Sequence, residues 1–135
     1  MSYEMAMRAA GAEVIQFQEF GDYQGNWWAK VNFEGKAGWV NGSYGSCSGC
    51  DAFQAEFDTM GHYHGDEYGY TEETKDFFDP ACEKCVDFRA RLISFGRTYL
   101  DNLMAQEEAE KEVSQHLEWD SDAREALEWL KTNHL

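Results

Sequence analysis

Positive charge is scarce in this chain of 135 residues: 11 Lys and Arg stand against 26 Asp and Glu, for a formal net charge of -15. Nucleic-acid and anionic-membrane surfaces are met by clustered bases, so direct binding to either is not expected. No apolar run is long enough to cross a bilayer. Residues Met1 to Arg8 lack the basic start and apolar stretch of a signal peptide, and a cytoplasmic protein is expected. No Ser/His/Asp-type motif, P-loop or dinucleotide fingerprint occurs. Nor does a βαβ unit precede the second cysteine pair, as a thioredoxin-like dithiol requires.

The cysteines are few but ordered. Cys47-Ser48-Gly49-Cys50 and Cys82-Glu83-Lys84-Cys85 hold all four, and 31 residues separate the pairs. A C-x-x-C turn aims two thiolates at one point, and a second pair can complete a tetrahedral shell. Zinc is the default ion for four soft thiolates, so Cys47, Cys50, Cys82 and Cys85 are read as ligands of a structural Zn2+. Glycines around the first pair allow a sharp turn. Asp79-Pro80 reads as a helix start, with Asp79 as N-cap and Pro80 as first helical residue, which places Cys82 and Cys85 in the first turn. Two disulfides, buried thiols and a redox dithiol are the alternatives.

In chain order, residues 1–12 read as a short helix or an arm. Glu13 to Phe20 reads as a strand through Ile15, Phe17 and Glu19. Asn26 to Phe33 reads as a second, with Trp27, Ala29, Val31 and Phe33 on one face. Glu34-Gly35 turns into a third, which Asn41-Gly42 ends. Three strands with short connections make an antiparallel meander. Its tryptophans favour a core role over a ligand platform. Asp51 to Phe57 suits either a helix or a strand.

Acidic blocks flank a mildly basic segment. Residues 51–80 carry nine acids and one base, residues 81–100 two acids and four bases, and residues 101–125 nine acids and two bases. Such blocks serve solubility, or they form a surface that attracts a basic partner. The candidate partner-binding residues are Asp58, Asp66, Glu67, Glu72 and Glu73 before the basic segment, and Glu107, Glu108, Glu110 and Glu112 after it. Between the first two lie His62 and His64, an alternating pair that could hold a catalytic ion. From Pro80 the spacing of Cys85, Phe88, Leu92, Phe95, Tyr99 and Leu103 predicts a long helix to about Gln106 or beyond, with Gly96 allowing a tryptophan to approach. Asp120 or Ser121 caps a last helix, whose Leu127, Leu130 and Trp129 must find cover on the domain, a partner or a second copy.

The run from Gly42 to Phe57, GSYGSCSGCDAFQAEF, resembles a segment of small uncharacterised phage-type acidic proteins. The similarity extends over about residues 20–58. It implies a phage setting in which small acidic proteins bind host machinery, and it implies no catalytic residues.

The sequence therefore predicts an α+β fold: a three-stranded meander joined through a four-cysteine zinc site to a long helix. Residues 1–106 would form the zinc-stapled domain, and residues 107–135 an acidic helical extension packed on it or on a partner. The function expected is non-enzymatic: binding, and inhibition, of a basic or nucleic-acid-binding host protein. A small metal-dependent hydrolase using His62 and His64, and a zinc-dependent oligomer paired through its C-terminal helices, are the rivals.

Overall fold

The structure, a computed structural model, describes residues 2–47, 50–57 and 81–135. Helix α1 (Ser2–Ala9) leads into strands β1 (Glu13–Gly21), β2 (Gly25–Phe33) and β3 (Lys36–Tyr44), then helices α2 (Ala52–Phe57), α3 (Glu83–Leu100), α4 (Gln106–Ser114) and α5 (Ala123–Thr132). The fold is α+β, as expected, and the sheet is a meander in the order β1-β2-β3 with both pairs antiparallel.

Local chemistry accounts for the ends of these elements. Gly11 takes φ 101° after α1. Its N–H bonds the carbonyl of Arg8, and the Ala12 N–H reaches back to Met7, which is the Schellman arrangement. Glu34 and Gly35 both have positive φ, as a two-residue hairpin turn of type I′ requires. Residues 51–57, ambiguous in sequence, form α2 because Asp51 Oδ2 accepts the Gln54 N–H at 3.0 Å, an N-terminal cap.

β2 is buried on both sides, which places a helical layer on each face of the sheet. On one face Trp27, Ala29, Val31 and Phe33 pack with Tyr3 and Met7 of α1 and Leu100 of α3. On the other, Trp28 and Trp39 pack with Ala109 and Val113 of α4 and Ala126 and Leu130 of α5. The three sheet tryptophans are at most 3% exposed, so they are core and no ligand platform. Burying each large apolar side chain contributes about 1.5–3 kcal/mol. The stripe of α5 is covered by the protein's own sheet. Lys30 sits at its end, with Nζ donating to the Asn133 carbonyl at 3.0 Å, a cation placed at a helix C-terminus.

The structure corrects several expectations. A bulge between Val14 and Gln16 breaks the alternation of β1, so Ile15 is 44% exposed while Phe17 stacks on Trp27. β3 runs past Asn41-Gly42 to Tyr44 because Gly42 is a packing position: a Cβ there would lie 2.8 Å from the Trp27 ring. α3 begins at Glu83, with extended Cys82 as its N-cap; Ala81 is not helical, and Asp79 and Pro80 lie outside the described residues. α3 also stops at Leu100, and the chain to Ala105 is not helical. There Met104 pairs with Trp39 through two backbone hydrogen bonds of 2.8 and 2.7 Å, which a continuing helix would not permit. Gly96 admits the backbone of α1 at Ala6 and Met7, in place of a tryptophan. α5 is preceded by Asp122 as N-cap, and Asp120 accepts the Asp122 N–H at 2.9 Å.

Candidate functional site

The first cysteine pair forms a tight turn between β3 and α2. The N–H groups of Cys50 and Asp51 both bond the Cys47 carbonyl, at 3.0 and 2.9 Å. The Cys47 N–H points at Cys50 Sγ, 3.0 Å away. Both thiols are exposed. The side chain of Cys47, followed by the backbone N–H of Cys47 and groups of Ser46, lowers the Cys50 pKa by hydrogen bonding to its sulfur.

The second pair has a different setting. Cys82 is half-buried at the start of α3. Cys85 is buried in an apolar cluster with Met5 and Ala6 of α1, Phe57 of α2, and Phe88 and Leu92 of α3. Phe57, at the far end of the helix that follows Cys50, thus reaches the surroundings of Cys85. Among the described residues no three His, Cys, Asp or Glu side chains gather into a group able to hold a metal ion.

Beside the first pair lies a buried polar junction that the sequence did not disclose. Asp51 is 6% exposed. Its Oδ1 accepts the Tyr3 hydroxyl at 2.8 Å and the Gly45 N–H at 2.9 Å. Burial and the bond to Asp51 both hold the Tyr3 hydroxyl well above its usual pKa. This junction ties α1 and the end of β3 to the start of α2, and orients the Cys47–Cys50 turn. An acidic residue directly after a C-x-x-C and before a helix was the available clue.

The acidic residues divide in the same way. Asp58, Asp66, Glu67, Glu72 and Glu73, with His62 and His64, lie outside the described residues. On α4, Glu107 and Glu108 are exposed, with no ion pair among the described residues. Glu110 accepts from Gln106 Nε2 at 2.9 Å, and Glu112 lies 3.8 Å from His116 Nε2. Trp129 is half-buried and meets Phe20 and Trp39 edge-on, at centroid distances of 5.7 and 5.4 Å, so it belongs to the margin of the second core.

The acidic layer encloses a cleft of about 140 Å³ between the second sheet face and the connection from α4 to α5. Phe20, Trp28 and Val113 line its apolar part, while Glu112, Asp120 and Asp122 contribute carboxylates. Of these acids only Glu112 was read from sequence as a binding residue, and Asp120 only as a helix cap, because the cleft joins residues nearly a hundred positions apart. Among the described residues no helix is long and apolar enough to cross a membrane. The chain matches no family model, no curated protein and no solved structure.

Proposed function

We propose that the protein is a non-enzymatic, acidic interaction module that binds, and by binding inhibits, a basic partner protein. The observation that carries this reading is the charge on the α4–α5 layer. Residues 101–135 hold ten acids and three bases. The ion pairs among the described residues there are Arg97 with Asp101 and His116 with Glu112, both largely exposed. The apolar faces of both helices are turned onto the sheet, so the carboxylates are displayed outward. Uncompensated charge of one sign steers an oppositely charged partner and accelerates encounter. The resemblance read in residues 20–58 would make that partner a host protein, basic or itself nucleic-acid-binding.

A structural zinc belongs to this reading. Cys47 with Cys50, and Cys82 with Cys85, offer two thiol pairs at matched spacing, and four thiolates select zinc. The described residues supply the pairs without the closed group, so metal content is a separate question from partner binding.

The reading is tested by capturing partners from host lysate and titrating the purified complex with salt. Association should slow steeply from low to physiological ionic strength. Reversal of Glu107, Glu108 and two acids of the 58–73 block to Lys should abolish binding and leave the fold intact. Binding indifferent to salt and to reversal would assign the charge to solubility alone.

A further inference from the structure

We propose that the cleft between the sheet and the α4–α5 connection seats an arginine side chain of a basic partner, an assignment that rests on the acidic-module reading above. The cleft has two chemically distinct parts. Its interior is apolar and fixed: Phe20, Trp28 and Val113 are each at most 4% exposed. Its walls carry Glu112, Asp120 and Asp122, all half-buried, together with the amide side chains of Asn26 and Asn41. Among the described residues no Lys or Arg lines it, and His116 is the one basic group there. An apolar stem with a cationic, hydrogen-bonding head complements both parts at once.

Three features favour arginine. The volume, about 140 Å³, is below the roughly 300–1,000 Å³ of sites for drug-sized ligands, and suits one side chain. The apolar floor at Phe20 and Trp28 suits the stem of an arginine, whose guanidinium is more weakly hydrated than an ammonium and tolerates that setting better. Several carboxylates and amide oxygens match its five N–H donors, whereas a lysine head presents three. The negative field also extends past the cleft: Tyr44 on β3 is held above its usual pKa, first by burial and then by the charges of Glu19, Asp122 and Asp22.

The test uses the full chain and a glycine-spaced arginine peptide, followed by amide and indole NMR shifts. Its controls are the same peptide with citrulline, which keeps the shape and loses the charge, and with lysine. The expected result is saturable movement of the Trp28 indole and of the Asn26 and Asn41 side-chain amides. Citrulline should bind about tenfold or more weaker, the loss of one charged hydrogen-bonding group, and lysine should fall between. Asp122→Asn with Glu112→Gln should weaken the arginine peptide similarly while the melting temperature holds. Equal binding of arginine and citrulline would overturn the proposal on the native chain, without recourse to a variant. Shifts confined to Glu107 and Glu108, with the cleft unmoved, would overturn it and leave the acidic-module reading standing. Failure of every basic peptide to bind would remove both.

Discussion

The indole N–H of Trp39 donates to Oε1 of Gln106 at 2.7 Å, in the interior between β3 and α4. The same oxygen accepts the Leu135 N–H at 3.2 Å, and Gln106 Nε2 donates to the Leu130 carbonyl at 3.0 Å. One buried side chain thereby connects a strand, two helices and the C-terminal residue. Gln106→Leu leaves the Trp39 donor and the Leu130 carbonyl without this partner. A buried group left unsatisfied costs about 1–3 kcal/mol, so a loss of about 2–4 kcal/mol is expected in urea unfolding. A change below about 0.5 kcal/mol would show that the network contributes little.

Gly96 packs α3 against α1, and an added Cβ would fall on the carbonyl of Ala6. In an isolated helix Gly96→Ala would gain about 1 kcal/mol. Here backbone must move, and overpacking of this kind costs about 1–3 kcal/mol. Net destabilisation is expected, read as a lower urea midpoint with unchanged slope. Stabilisation would mean that α1 shifts freely.

The Tyr3–Asp51 bond makes stability sensitive to alkali. The Tyr3 pKa is raised in the folded state, so on deprotonation the unfolded chain gives up its proton first. Stability from this group is full below about pH 10, the unfolded value, and declines as pH rises above it. Burial raises Tyr99 and Tyr44 in the same direction. Tyr3→Phe should flatten the decline measured between about pH 9 and 11, while lowering stability at neutral pH. An unchanged alkaline slope would dissociate Tyr3 from the effect.

Metal content decides the place of zinc. One equivalent per chain is expected in protein purified without added metal, with binding coupled to folding. Cys82→Ser should then reduce both zinc retention and melting temperature. The second-metal reading of His62 and His64 predicts a further equivalent, lost in the double alanine variant. A folded, metal-free protein with four titratable thiols would remove zinc from the proposed function.

Much of the sheet was legible because one period carries it. Trp27, Ala29, Val31 and Phe33 alternate on a core face, and the Glu34-Gly35 turn sets the register. The α3 stripe was legible by the same logic, since Cys85, Phe88 and Leu92 are buried and Phe95 and Tyr99 half-buried. What periodicity omits is where an element must stop for the sake of another. The pairing of Met104 with Trp39, the bulge at Ile15 and the role of Gly42 beneath Trp27 each depend on a partner distant in sequence. The cleft was illegible for the same reason. Asp120 read as a capping residue, and Asp122 drew no reading, until Asn26, Asn41 and Trp28 are set opposite them.

The backbone bridge from Met104 to Trp39 has a topological consequence. After Leu100 the polypeptide leaves the layer made with α1, passes around the rim of the sheet at β3, and enters the opposite layer as α4. Where it passes, it occupies the hydrogen-bonding positions of Trp39 that an additional strand would need. The sheet is thus asymmetric: growth by strand addition is obstructed at the β3 rim, whereas among the described residues no segment pairs with the outer edge of β1.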